Sequence, residues 1–257
     1  MDIVFVGAGR LATNFASALK QNGHRILAVW SRTIASAQAL GAKVGCQATD
    51  KLDALPLQAD AFVVAIKDAA LAEVIPSLCK GRENQVFLHT AGSMPLTVFS
   101  GYTQHGGVLY PMQTFSKERL VDFLCVPIFI EGADDVALDL ARRLAESVSR
   151  EVRVLSSADR KHLHLAAVFA CNFANHCYAL SAKILEQHGL PFEVMLPLID
   201  ETALKVHSMH PFAAQTGPAI RYDQNVIEAQ KALLSDDADT QEIYDIMSKS
   251  IHRLAND

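Results

Sequence analysis

Four apolar residues near the start of the chain, Ile3-Val4-Phe5-Val6, run directly into Gly7-Ala8-Gly9-Arg10-Leu11-Ala12, and a helix-forming stretch follows. This G-x-G-x-x-A spacing, placed between a strand and a helix, constrains the fold more than any other feature. The first glycine permits a tight turn, the second lets a pyrophosphate approach the backbone, and Ala12 keeps the helix close to the sheet. The amino end of that helix then faces the phosphate charge. Gly7, Ala8, Gly9, Arg10 and Leu11 are therefore candidate dinucleotide contacts, the alternative being an ordinary glycine-rich turn.

The residues that follow continue the pattern. Short apolar runs at Ile3–Val6, Arg25–Trp30, Lys43–Cys46, Ala61–Ile66, Gln85–His89, Gly107–Tyr110, Cys125–Glu131 and Glu151–Leu155 read as strands. Helices are expected between them at Leu11–Gln21, Ile34–Leu40, Ala70–Leu78 and Asp134–Ser149. Strands alternating with helices give βαβ units, so residues 1–155 are expected to form an α/β Rossmann domain with a mostly parallel, doubly wound sheet.

After Ser157 no glycine or proline interrupts the chain until Gly189-Leu190-Pro191. One helix of about 30 residues, ~45 Å long, is expected there. Further helices are expected over about Phe192–Met209, Tyr222–Leu234 and Thr240–Lys249, making 156–257 an all-helical domain.

Composition excludes several classes. Half of the 257 residues are apolar, a fifth are charged, and the formal charge is −5. Without a lysine- or arginine-rich run, nucleic acid is not the expected partner. No apolar stretch reaches the roughly 18–20 residues of a membrane span, and Ile3–Val6 is too short for a signal peptide. The five scattered cysteines read as reduced thiols of a cytoplasmic protein, and no metal-ligand spacing occurs.

The end of the second strand bears on cofactor choice. NAD-binding chains usually place a carboxylate there for the ribose 2′-hydroxyl. This chain has Trp30-Ser31-Arg32-Thr33 instead. An arginine flanked by two hydroxyls suits a 2′-phosphate, which favours NADP(H), although Arg32 could also be a solvated loop residue. Ile66, Lys67 and Thr90, at the ends of later strands, are further candidate cofactor contacts. Asp68 reads as an N-cap for the helix after Lys67.

A Rossmann domain followed by a long-helix domain resembles the superfamily of prephenate dehydrogenase, pyrroline-carboxylate reductase and the β-hydroxyacid dehydrogenases. Within it the chain is most similar to a family of bacterial NADP-dependent oxidoreductases. The similarity is carried by His89-Thr90-Ala91-Gly92-Ser93, Tyr110-Pro111-Met112-Gln113-Thr114-Phe115, the His162–His176 stretch and Thr216-Gly217-Pro218-Ala219-Ile220-Arg221. Tyr110-Pro111-Met112 resembles the H-P-M turn of prephenate dehydrogenases, with tyrosine for histidine. His164, Asn172 and His176 resemble that family's spacing of His, a small polar residue eight positions on, and His at twelve. The resemblance implies that His164 takes or gives the proton that accompanies hydride transfer. No Asp follows His164, Asn stands where Ser is usual, and the K-x-x-x-N motif of β-hydroxyacid dehydrogenases is absent, so the substrate class stays open.

The residues themselves point to the same helix. On a regular helix His164, Asn172, Asn175 and His176 fall within a sector of roughly 120°. They flank an apolar run, Leu165–Ala170, and if buried they need polar partners. His164 and Asn172 are the candidate catalytic pair, as proton carrier and substrate-orienting amide; a satisfied polar network at a helix or dimer interface is the alternative. Ser93, Asn175, His176 and Arg221 are candidate substrate contacts. Ser93 could also be a turn or cap serine, and Arg221 could pair with Asp223 or Glu228.

The expectation is thus hydride transfer between NADPH and a small carbonyl or imine at an interdomain cleft, in a homodimer joined by the helical domain. A non-catalytic NADP(H) sensor, or an enzyme of other chemistry using NADP transiently, would share the glycine turn.

Overall fold

The protein is described by a computed structural model over residues 1–256. Eight strands form one sheet in the order β3-β2-β1-β4-β5-β6-β7-β8. They are β1 (Asp2–Val6), β2 (Arg25–Trp30), β3 (Gln47–Thr49), β4 (Ala61–Val64), β5 (Val86–His89), β6 (His105–Pro111), β7 (Ile128–Gly132) and β8 (Val152–Val154). All neighbours pair in parallel except β6 and β7. The expected mostly parallel Rossmann-type sheet is therefore present, with helices after it.

The central strands read as unbroken apolar runs because both faces of the sheet are covered. On one face Ile3 and Phe5 of β1 pack with Phe15 and Leu19 of α1 (Arg10–Gln21), Leu40 of α2 (Ile34–Val44) and Leu144 of α4 (Asp135–Glu146). On the other face Val4 and Val6 meet Leu71, Ile75 and Leu78 of α3 (Asp68–Cys79). Each such fully buried side chain contributes about 1.5–3 kcal/mol.

One expected strand was misplaced. Lys43 and Val44 end α2, Gly45 adopts a left-handed conformation (φ 70°), and β3 begins only at Gln47. A glycine just past a helix supplies the positive φ that closes it, so Val44-Gly45 is a helix stop rather than the core of a strand.

The uninterrupted stretch after Ser157 is helical as expected but not uniformly so. α5 (Ser157–Ala167) passes into a π-helical turn, Val168–Phe173, and α6 (Ala174–Gln187) resumes the regular winding. Gly189 (φ 68°) ends it, with the Leu190 amide returning to the Leu185 carbonyl at 3.0 Å. A π turn holds one extra residue, so the angular count that placed Asn175 and His176 on the face of His164 does not hold across it.

Contacts divide the chain into two units, Met1–Asn172 and the residues from Phe173 onward. The second unit holds α6, α7 (Leu196–Ser208), the single turn α8 (Pro211–Ala214), α9 (Gln224–Ala232) and α10 (Ala238–Asn256). Among its described apolar residues only Leu185, Ala219 and Ile227 are buried. No helix among the described residues is long and apolar enough to cross a membrane.

Candidate functional site

The carboxyl ends of β2, β1, β4, β5 and β6 lie side by side, since Trp30 pairs with Val6, Val6 with Val64, Val64 with His89, and His89 with Val108. A cavity of about 720 Å³ opens along this edge. Gly7 to Leu11, Ser31 to Thr33, Ile66 and Lys67 all line it, so every expected cofactor contact but one is brought together. The exception is Thr90, which is buried and gives its hydroxyl to the Val64 carbonyl at 3.4 Å. Trp30, Glu73 and Lys117 also line the cavity and were not singled out in the sequence.

The two glycines act in different ways. Gly7 has φ +120°, and a Cβ there would fall 2.2 Å from the Ala65 carbonyl oxygen. The β1–α1 turn can therefore approach β4 only with glycine at this position. At Gly9 a Cβ would meet nothing within 4 Å. Its missing side chain leaves room at the mouth of α1, a helix with no side-chain cap and no acidic residue in its first turn. Its first amides are thus free to meet an anion. Arg10, Arg32, Lys67 and Lys117 face this space against a single carboxylate, Glu73. The buried indole N–H of Trp30 finds no acceptor among the described residues. Open room at Gly9, uncapped amides at the start of α1 and an excess of cations together fit a phosphorylated dinucleotide.

Three strand spacings from β1, roughly 14 Å, a second cluster forms at β6. The hydroxyl of Tyr110 lies 3.0 Å from Nδ1 of His164, across 54 residues of sequence. Gly92 lies beneath the pair: a Cβ on it would fall 2.6 Å from that Nδ1 and 3.0 Å from Cζ of Tyr110. Burial raises the Tyr110 pKa, Arg160 pulls it back in part and Asp68 adds to the rise. The phenol therefore keeps its proton at neutral pH.

Ser93 is not a cap. Its hydroxyl donates to the Asp68 carboxylate in a short hydrogen bond, and Asp68 is the first residue of α3 rather than its N-cap, which is Lys67. The loops after β4 and β5 are thereby tied together.

α5 is anchored by a network that the sequence did not reveal. Arg160, almost completely buried, donates to Glu131 at 2.6 Å, to the Met94 carbonyl at 2.6 Å and to the Ser157 hydroxyl at 3.2 Å. Burial opposes the charge on Glu131, but hydrogen bonds from Ser157 and Arg160 outweigh it and hold the carboxyl below its ordinary pKa. Arg160 lies one helical turn before His164 and holds both α5 and the Met94 loop, so it fixes the imidazole's position.

The other expected residues are placed differently. Asn172, Asn175 and His176 are exposed in the single chain, so the argument that burial obliges them to find partners does not apply there. Arg221 is exposed before α9 and makes no ion pair with Asp223 or Glu228.

Comparison with known proteins agrees with this edge. Residues 2–91 match the family described as NADP oxidoreductase, coenzyme F420-dependent, and residues 126–251 match a domain of unknown function, DUF2520. The Bacteroides fragilis protein BF3122, assigned as an NADP oxidoreductase, is 49% identical over 98% of both chains, with a TM-score of 0.95. The chain belongs to this NADP oxidoreductase family. Two more distant structures share the fold. An imine reductase from Myxococcus stipitatus in complex with NADP+ has 16% identity and a TM-score of 0.69, covering 100% of this chain and 94% of its own. A pyrroline-5-carboxylate reductase from Coxiella burnetii has 18% identity and a TM-score of 0.60, covering 99% and 97%. No curated protein matches. The cofactor of this NADP oxidoreductase family is NADP(H), in keeping with the cations and the absence of a carboxylate after β2.

Proposed function

We propose that the protein reduces a small carbonyl or imine with NADPH, or runs the reverse reaction, at the sheet edge where Tyr110 and His164 meet. The hydrogen bond between these two residues, on the same edge as the glycine turn, carries this reading. Gly7 to Leu11 would hold the pyrophosphate, Ser31, Arg32 and Thr33 the 2′-phosphate, and Ile66 and Lys67 the part nearer the reacting end. When bound, NADPH supplies a hydride.

His164 supplies or removes the accompanying proton. Its Nδ1 shares a hydrogen bond with the Tyr110 hydroxyl, which leaves Nε2 as the nitrogen proposed to meet substrate. Asn172 and Ser93 orient the substrate's polar atom. Asn175, His176 and Arg221 belong to the second unit, and their assignment to substrate rests on the sequence pattern alone. The exposed apolar side chains of the second unit support the homodimer.

The test has two stages. NADPH should bind in the micromolar range by calorimetry, more tightly than NADH, and Arg32→Ala should remove most of that preference. With cyclic imines, keto acids and aldehydes as candidates, His164→Ala should abolish NADPH consumption while leaving NADPH affinity intact. A protein that binds NADPH but turns over none of these, with or without His164, would be a sensor.

A further inference from the structure

The loop after β6 enters the cofactor cavity, although no sequence motif marks it. We propose that Lys117, carried on this loop and held beside the first turns of α1 by Asn14, is a further phosphate ligand of the dinucleotide. The inference rests on the NADPH reading above and extends it to a segment far from the glycine turn in sequence.

Asn14 is the observation that ties the loop down. It lies one helical turn after Arg10 and is almost completely buried. Its amide nitrogen donates to the Arg10 carbonyl at 2.9 Å and to the Ser116 carbonyl at 2.7 Å, and its oxygen accepts from the Val121 amide at 3.0 Å. Both sides of the loop that bears Lys117 are therefore bonded to one side chain of the helix that opens the glycine turn. A buried asparagine inside a helix is unfavourable unless each polar atom is satisfied, and here the loop satisfies it. The base of the loop is also packed: Phe115 stacks on Phe123 at 5.8 Å, and Phe123 stacks on Phe15 of α1 at 5.3 Å.

From this anchored base Lys117 extends to the surface and lines the cavity. It makes no ion pair among the described residues, so its ammonium is not already spent on a carboxylate. It joins Arg10, Arg32 and Lys67 around a space with one acidic residue, Glu73. Cations gathered by separate segments around a common space call for an anion rich in acceptor oxygens. Two groups of the cofactor have that chemistry, the pyrophosphate and the 2′-phosphate.

Calorimetric titration of wild type, Lys117→Ala and Lys117→Arg with NADPH and with NADH tests the assignment. Lys117→Ala should weaken NADPH binding about tenfold, with Lys117→Arg restoring most of it and the melting temperature unchanged, because the side chain is exposed. A parallel loss for NADH places the ammonium on the pyrophosphate; a loss confined to NADPH places it on the 2′-phosphate. The salt dependence of NADPH affinity should also become shallower in Lys117→Ala. Unchanged affinity for both nucleotides would overturn the inference while leaving the oxidoreductase reading intact. Failure of the wild type to bind either nucleotide would overturn both.

Discussion

The hydroxyl of Tyr110 meets Nδ1 of His164 at 3.0 Å, directly over the bare Cα of Gly92. The geometry separates two ways of disturbing the imidazole. Tyr110→Phe removes the hydrogen bond but keeps the ring, and the loss of a neutral hydrogen bond should lower kcat up to about tenfold. Gly92→Ala adds one carbon where the imidazole now lies, which displaces His164 and should lower kcat further, by about a hundredfold. Neither residue lines the dinucleotide cavity, so NADPH affinity should change little in both variants. Steady-state kinetics with calorimetry decide it, and a large loss of NADPH binding in Tyr110→Phe would sink the assignment.

Gly7 and Gly9 should respond oppositely to the same substitution. Gly7→Ala forces a positive φ on alanine and drives Cβ into the Ala65 carbonyl, which should cost about 3 kcal/mol or more of folding stability. Gly9→Ala meets no protein atom and should fold with nearly the wild-type melting temperature, yet its methyl group would occupy the room proposed for pyrophosphate. Its NADPH affinity should fall at least about tenfold. Thermal unfolding of both proteins, with titration of the folded one, checks the contrast.

The glycine turn was legible because its geometry is local: strand, turn and helix start lie within a dozen residues, and steric rules fix which of them must be small. The Ser31-Arg32-Thr33 segment was legible for the same reason. Tyr110 and His164 each drew attention separately, but their contact needs β6 and α5 to be placed, and nothing in either segment encodes the other. Arg160 and Glu131 gave no signal, since an arginine in a helix and a glutamate at a strand end are ordinary until burial makes them obligatory partners. Lys117 was hidden because its role depends on Asn14, and a mid-helix asparagine has no sequence signature for the loop it holds. The π turn at Val168–Phe173 left no glycine or proline to betray it.

The Arg160–Glu131 pair should be strongly coupled. Arg160 is sealed from solvent, so Glu131→Gln leaves a buried guanidinium without its counter-charge, which should destabilise the fold by about 3–5 kcal/mol. Replacing both partners by methionine removes the uncompensated charge and should lose less than the single change. Urea unfolding of the two variants measures this. A Glu131→Gln protein as stable as wild type would show that the pair does not anchor α5.

His89 makes stability depend on pH. It is fully buried, and burial followed by the nearby Arg160 charge depresses its pKa from 6.5 to about 4, against partial support from the Pro95 carbonyl and Glu131. The unfolded chain takes up a proton below its ordinary pKa, whereas the folded chain does so only near 4. Stability should therefore be intact above about pH 6.5 and fall as pH drops towards 4, by on the order of 3 kcal/mol across the window. His89→Leu should flatten that part of the urea-midpoint profile. A profile as steep as wild type in this variant would assign the effect to other histidines.

The second unit exposes more apolar surface than a lone helical unit should. Leu198, Leu204, Phe212, Ile246 and Leu254 are each more than half exposed, while only three of its described apolar residues are buried. Single hydrophobic residues at a surface are ordinary, but so many in one unit with so small a core support the proposed homodimer. A second copy is the proposed cover, and sedimentation equilibrium should return twice the chain mass at micromolar concentration. Leu198→Glu with Leu204→Glu should shift the protein to monomer and lower its melting temperature, because the second unit would lose the partner that completes its core. The first unit has its own buried core on both faces of the sheet, so NADPH binding should survive in the monomer. A wild-type protein that sediments as a monomer would remove the homodimer from this reading and leave the cofactor site untouched.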